Sequence, residues 1–109
     1  VSMSKKNTLK SGAVRYVVFK EAGSWYAAAL EFNIVESGDD PREVLMLLLE
    51  AVEGYVASAR KAKLRPGVLN QTPDSEYERL WEIGQGTRRK PVKSPIQVHT
   101  SGISSLQLA

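Results

Sequence analysis

The sequence predicts an α+β domain in which a three-stranded antiparallel sheet is packed by one long helix, with a short second helix following it. Two features carry this. Runs rich in β-branched and aromatic residues flank the short turn Glu21-Ala22-Gly23-Ser24, which reads as a hairpin. Further on, Asp40-Pro41-Arg42-Glu43 sets a capping acid, a first-turn proline and a third-position glutamate ahead of a long aliphatic stretch. A chain of 109 residues has room for one small domain.

The first strand is Val14 to Lys20, V-R-Y-V-V-F-K. Alternation puts Val14, Tyr16 and Val18 on one face and Arg15, Val17 and Phe19 on the other, so both faces are substantially apolar. The second strand, Trp25 to Leu30, contains Ala27-Ala28-Ala29. Flanking aromatics favour a strand here, one whose small side chains let a helix approach closely. A third strand, Ile34 to Ser37, ends at Gly38.

The long helix begins after Asp40 and runs to about Ala62, with Leu45, Leu48, Leu49, Val52, Val56 and Ala59 at three- and four-residue steps. Its opening turns are apolar on more than one side. Val44, Met46 and Leu47 therefore read as part of an oligomer contact, together with Trp81, which reads as a core or interface anchor. Leu64-Arg65-Pro66-Gly67 ends the helix. Thr72 as cap and Pro73 in the first turn then predict a short helix to about Ile83. Residues 1–84 make up this domain, and 85–109 read as a basic, flexible tail in which 95–100 is the one stretch suited to an extra strand, including one added to another subunit.

Charge comes in blocks. Residues 1–20 carry five cations and no acid, whereas residues 21–56 carry eight acids against Arg42 alone. Cations return at Arg60, Lys61, Lys63 and Arg65, and again at Arg88, Arg89, Lys90 and Lys93. Of these, Arg60, Lys61, Lys63, Arg65, Arg88, Arg89 and Lys90 are potential phosphate contacts, although cations at a helix C-terminus already have an explanation in the helix dipole. The long helix shows Glu50 and Glu53 where a base-reading helix needs Arg, Lys, Asn or Gln.

The chain has no cysteine, which removes disulfides and thiolate-ligated metals, and its one histidine, His99, is too little for a histidine-rich metal site or a triad. No phosphate-binding loop, dinucleotide fingerprint, zinc-protease motif or nucleophile elbow is present. Acids cluster around the third strand at Glu31, Glu36, Asp39 and Asp40. Strand alternation does not bring Glu31 and Glu36 to one face, and Asp40 is accounted for as a cap, so a paired-carboxylate metal site is not favoured. The expectation is a protein without enzymatic activity, cofactor or metal. Without a secretory signal or an apolar stretch long enough to span a bilayer, a cytoplasmic setting away from membranes is expected.

Three strands followed by Glu36 to Leu49, E-S-G-D-D-P-R-E-V-L-M-L-L-L, resemble the HicB-like family over about residues 14–65. The resemblance implies a partial ribonuclease-H-like domain without that fold's catalytic acids. It also implies homo-oligomers and an antitoxin role, masking a HicA-type toxin that cleaves messenger RNA. Many relatives carry a Pro-x-x-x-Gly bend where this chain has Leu30-Glu31-Phe32-Asn33, and residues 87–109 lack the pattern of a helix-turn-helix, so the resemblance extends to no DNA-binding unit. Charge assigns Glu31, Glu36, Asp39 and Asp40 to the meeting with a basic toxin. The alternatives are a nucleic-acid-binding regulator that uses the basic flanks, and a stand-alone HicB-like protein of another role.

Overall fold

The computed structural model describes residues 6–8, 11–88 and 96–106. In chain order it contains β1 (Ala13–Glu21), β2 (Ser24–Ala29), a single 3-10 turn (Leu30–Phe32), β3 (Ile34–Gly38), α1 (Pro41–Lys61), a second 3-10 turn (Pro66–Leu69), α2 (Ser75–Gln85) and β4 (Gln97–Ser105). The α+β class, the antiparallel sheet and the two helices match the expectation from sequence. The strand count does not, because the sheet has four strands in the order β3-β2-β1-β4.

The β1–β2 hairpin closes through the pair Glu21 and Ser24, with Ala22 and Gly23 both at positive φ (52° and 82°). Two consecutive left-handed residues make the tight turn whose twist matches that of the strands it joins. The two central strands, β1 and β2, are covered on both sides, as their two apolar faces require. On one side Val14, Val18, Ala27 and Ala29 meet Val44, Leu48, Val52, Val56 and Ala59 of α1, together with Phe32 and Leu69. On the other, Val17, Phe19, Ala28 and Leu30 meet Leu80 of α2 and Ile96. The alanine run gives both helix layers a flat floor, since all three alanines are buried.

Helix α1 starts where the sequence places it. The Asp40 carboxylate accepts hydrogen bonds from the N–H groups of Arg42 (2.7 Å) and Glu43 (3.3 Å), and Pro41 fills the first turn. Helix α2 starts two residues later than expected. Its cap is Asp74, which accepts from the Glu76 N–H at 2.8 Å, while the Thr72 carbonyl faces the Asn33 side-chain amide.

The fourth strand is the main correction. Part of the segment expected to form a tail returns to the sheet and pairs with β1 from Ala13–Ser105 to Lys20–Gln97. Residue composition hides it, because Q-V-H-T-S-G-I-S-S has few apolar side chains for an alternating pattern. What holds it is backbone pairing and α2. The Trp81 indole N–H donates to the Gly102 carbonyl (2.9 Å), and the Gln85 amide donates to the Ser101 carbonyl (3.0 Å). The register slips between Val18 and Phe19, leaving His99 without an opposed residue, its ring edge-on to Trp25 with centroids 5.4 Å apart. Gly102 is required by packing, since a Cβ there would collide with the Tyr16 phenol. Among the described residues, no helix is long and apolar enough to cross a membrane.

Candidate functional site

The four acids assigned from charge fall at opposite ends of β3. Glu31, in the 3-10 turn before β3, is committed to β1: its carboxylate accepts from the Arg15 backbone N–H at 2.8 Å and pairs with the Arg15 Nε. The same guanidinium reaches Glu78 of α2 through Nη1 (3.1 Å) and lies over the Trp81 ring, 5.2 Å from its centroid. Burial is the largest influence on Arg15 and pulls its pKa down, but the hydrogen bonds and charges of Glu31 and then Glu78 outweigh it, and the net shift is upward. An arginine held this way fastens the 3-10 turn and α2 to β1, and its charge is already matched.

At the other end, Glu36, Asp39 and Asp40 follow one another through the last residues of β3 into the start of α1. Glu36 is half-buried opposite Ala27, Asp39 is exposed, and Asp40 is exposed while serving as the helix cap. Three of the four acids thus lie near one another in sequence at the β3–α1 end, while Glu31 is held by Arg15. Beside them runs the outer edge of β3, whose inner edge is taken by β2. Val35, 40% exposed, stands on that edge strand.

The four residues assigned to an oligomer contact divide in the same way. Val44 is fully buried against the sheet and offers no open surface, whereas Trp81 is partly buried against the core, with its indole N–H bonded, and lines an open cavity with Arg15, Glu78 and Arg88. Sequence periodicity could not separate them from surface positions, because both helices pack on a sheet that is apolar on two faces. Met46 (63% exposed) and Leu47 (37% exposed) do face outward. With Asp40, Arg42, Glu43 and Glu50 they line a shallow groove of about 370 Å³ on the solvent side of α1.

The cations form two separate groups. Arg60, Lys61, Lys63 and Arg65 are all exposed at the end of α1 and just beyond it. Arg88 pairs with Glu82 at 2.8 Å, which leaves it less available to phosphate, and Arg89 and Lys90 lie outside the described residues.

Sequence reasoning missed two polar features. One is the Arg15 cluster. The other is Asn7, which ties the chain before β1 to Leu69 and Asn70. A cavity of about 280 Å³ between α1 and the end of β4, lined by Leu49, Val52, Val56 and Leu106 with Glu53 and Arg60 at its margin, also had no sequence signature. Among the described residues no three His, Cys, Asp or Glu side chains stand close enough to share a metal ion. No protein-family model matches the chain, and neither a curated protein nor a solved structure matches it.

Proposed function

We propose that this chain is a non-enzymatic binding protein that acts as HicB-type antitoxins do, masking a small basic RNA-cleaving partner of the HicA type. Its support is the outer edge of β3, which no strand among the described residues covers, and where the exposed Val35 is followed by Glu36, Asp39 and Asp40. An open strand edge takes an added strand through main-chain hydrogen bonds. Acids beside it steer a cationic protein to that edge and occupy the surface that would otherwise hold the phosphates of its RNA. Glu31, neutralised by Arg15, takes no part in this.

The test is co-purification from the source cell at low and moderate salt, with mass spectrometry of what is retained. A small basic protein is expected. Its association with this chain should slow, and lose salt dependence, in the variant Glu36→Ala/Asp39→Ala/Asp40→Ser, in which serine keeps the helix cap. Recovery of no basic partner, or association kinetics at low salt that the triple variant leaves unchanged, would remove the proposal.

A second reading is nucleic-acid binding through the cations after α1, favoured by the exposure of Arg60, Lys61, Lys63 and Arg65. It requires affinity for generic RNA or DNA that falls steeply with salt and is lost when those four residues are neutralised.

A further inference from the structure

We infer that two copies of this chain pair through the outward face of α1, antiparallel, about a two-fold axis near Val52. The inference does not depend on the toxin-masking proposal, and it concerns a different face of the molecule.

Helix α1 buries Val44, Leu48, Val52, Val56 and Ala59 against the sheet. On the side turned directly away from them lie Glu43, Leu47, Glu50, Gly54, Ala57 and Lys61, all exposed. Their spacing is four, three, four, three and four residues, which keeps them in one stripe along about 27 Å of helix. This is the repeat with which one helix lies along another, and among the described residues these six positions are exposed.

The chemistry along the stripe complements itself only when a second copy runs the other way. With the axis at position 52, Glu43 of one copy meets Lys61 of the second, Leu47 meets Ala57, and Glu50 meets Gly54. Opposite charges thus fall together at both ends and each large side chain faces a small one. A two-fold axis repeats each of these contacts, as an isologous interface requires. A parallel pair would instead set Glu43 on Glu43 and Lys61 on Lys61, with the two bulky ends stacked together.

Gly54 adds an independent reason. A glycine inside a helix weakens it relative to alanine, and no described residue lies within 4 Å of where a Cβ at this position would go. The chain's own packing has no use for the missing side chain. A second helix approaching at Gly54 does.

The test is sedimentation equilibrium of the full chain over the micromolar range at low and moderate salt. A monomer–dimer equilibrium is expected. Glu43→Lys and Lys61→Glu should each raise its dissociation constant by about tenfold or more, because every exposed charge contact occurs twice and becomes repulsive. The double variant Glu43→Lys/Lys61→Glu should restore wild-type association. Both positions are exposed, so circular dichroism should show all three variants folded.

The absence of native cysteine permits a check of direction. A mixture of Leu47→Cys and Ala57→Cys chains should cross-link across the pair, and each variant alone should not. A monomer at every concentration, a dissociation constant indifferent to both single reversals, or faster cross-linking of either variant with itself would overturn the inference. Capture of a basic protein at the β3 edge should survive Lys61→Glu, at the far end of α1, so failure of one proposal is readable apart from failure of the other.

Discussion

The Glu31 carboxylate holds Arg15 at two points, accepting from its backbone N–H at 2.8 Å and pairing with its side-chain Nε, with side chains only 13% and 12% exposed. One acid thereby fixes both the end of the β2–β3 connection and the direction of the guanidinium that runs on to Glu78 and Trp81. Removing one member of a largely buried pair leaves the other uncompensated, which costs far more than the pair contributes. Glu31→Ala is expected to lower the unfolding free energy by about 2–3 kcal/mol in urea titrations. Glu78→Ala, at a side chain 42% exposed, should cost less than about 1 kcal/mol. Equal losses at the two positions would mean that Glu31 is no anchor.

The hairpin turn stores a local cost that can be relieved. Ala22 sits at φ 52°, in the left-handed region that an alanine side chain disfavours, immediately before Gly23 at φ 82°. Asparagine followed by glycine is the preferred pair for this turn. Ala22→Asn should therefore stabilise the protein by about 0.5–1 kcal/mol and raise its thermal midpoint. Ala22→Val, with a branched Cβ at the same φ, should lower it. An unchanged or lower midpoint for Ala22→Asn would contradict the geometry.

Tyr77, packed on Phe19 with ring centroids 6.0 Å apart, has its phenol pKa raised above the ordinary 10.0, first by burial and then by the charges of Asp74, Glu76 and Glu21. The folded chain thus favours the neutral phenol. Its contribution to stability is complete below the unfolded value and is lost as pH climbs from there through the higher folded value. Stability of the wild type should therefore fall along the alkaline limb from about pH 10 upward. Tyr77→Phe should fall less steeply over the same range. Parallel limbs for the two proteins would show that Tyr77 carries no linked proton.

Local signals in the sequence translated well, and distant ones did not. Asp40 and Pro41 specify the start of α1 through bonds to the next three residues, so its boundary was legible. The first hairpin was legible because its turn and its apolar strands are contiguous. The start of α2 was displaced because Thr72-Pro73 imitates a cap, while Asp74 makes the capping bond. β4 was lost for a physical reason: its place depends on backbone pairing with residues 77 to 92 positions earlier and on Trp81 and Gln85, not on its own side-chain pattern. At the site, Glu36, Asp39 and Asp40 stayed together because they are neighbours in sequence. Glu31 left the group because its partner, Arg15, is 16 residues away on another strand.

Asn7 shows how much a single polar side chain can organise where no motif announces it. It is 4% exposed, and each of its polar atoms is engaged: Nδ2 donates to the Leu69 carbonyl (2.7 Å), Oδ1 accepts from the Ala13 N–H (2.7 Å), and its backbone N–H and carbonyl exchange bonds with the Asn70 side chain (2.7 and 2.8 Å). It therefore ties the start of β1 to the turn that follows α1. Aspartate at this position has nearly the same shape but turns a donor into an acceptor against the Leu69 carbonyl. Asn7→Asp should cost about 2–3 kcal/mol, and more as pH rises through the carboxyl's titration. Gly12 packs so closely that a Cβ would overlap Oδ1, so Gly12→Ala should break the same latch by displacing the amide. Combined with Asn7→Ala, which clears that space, Gly12→Ala should add less than its cost alone. Full additivity of the two, measured by urea unfolding, would show that the glycine and the amide do not share one contact.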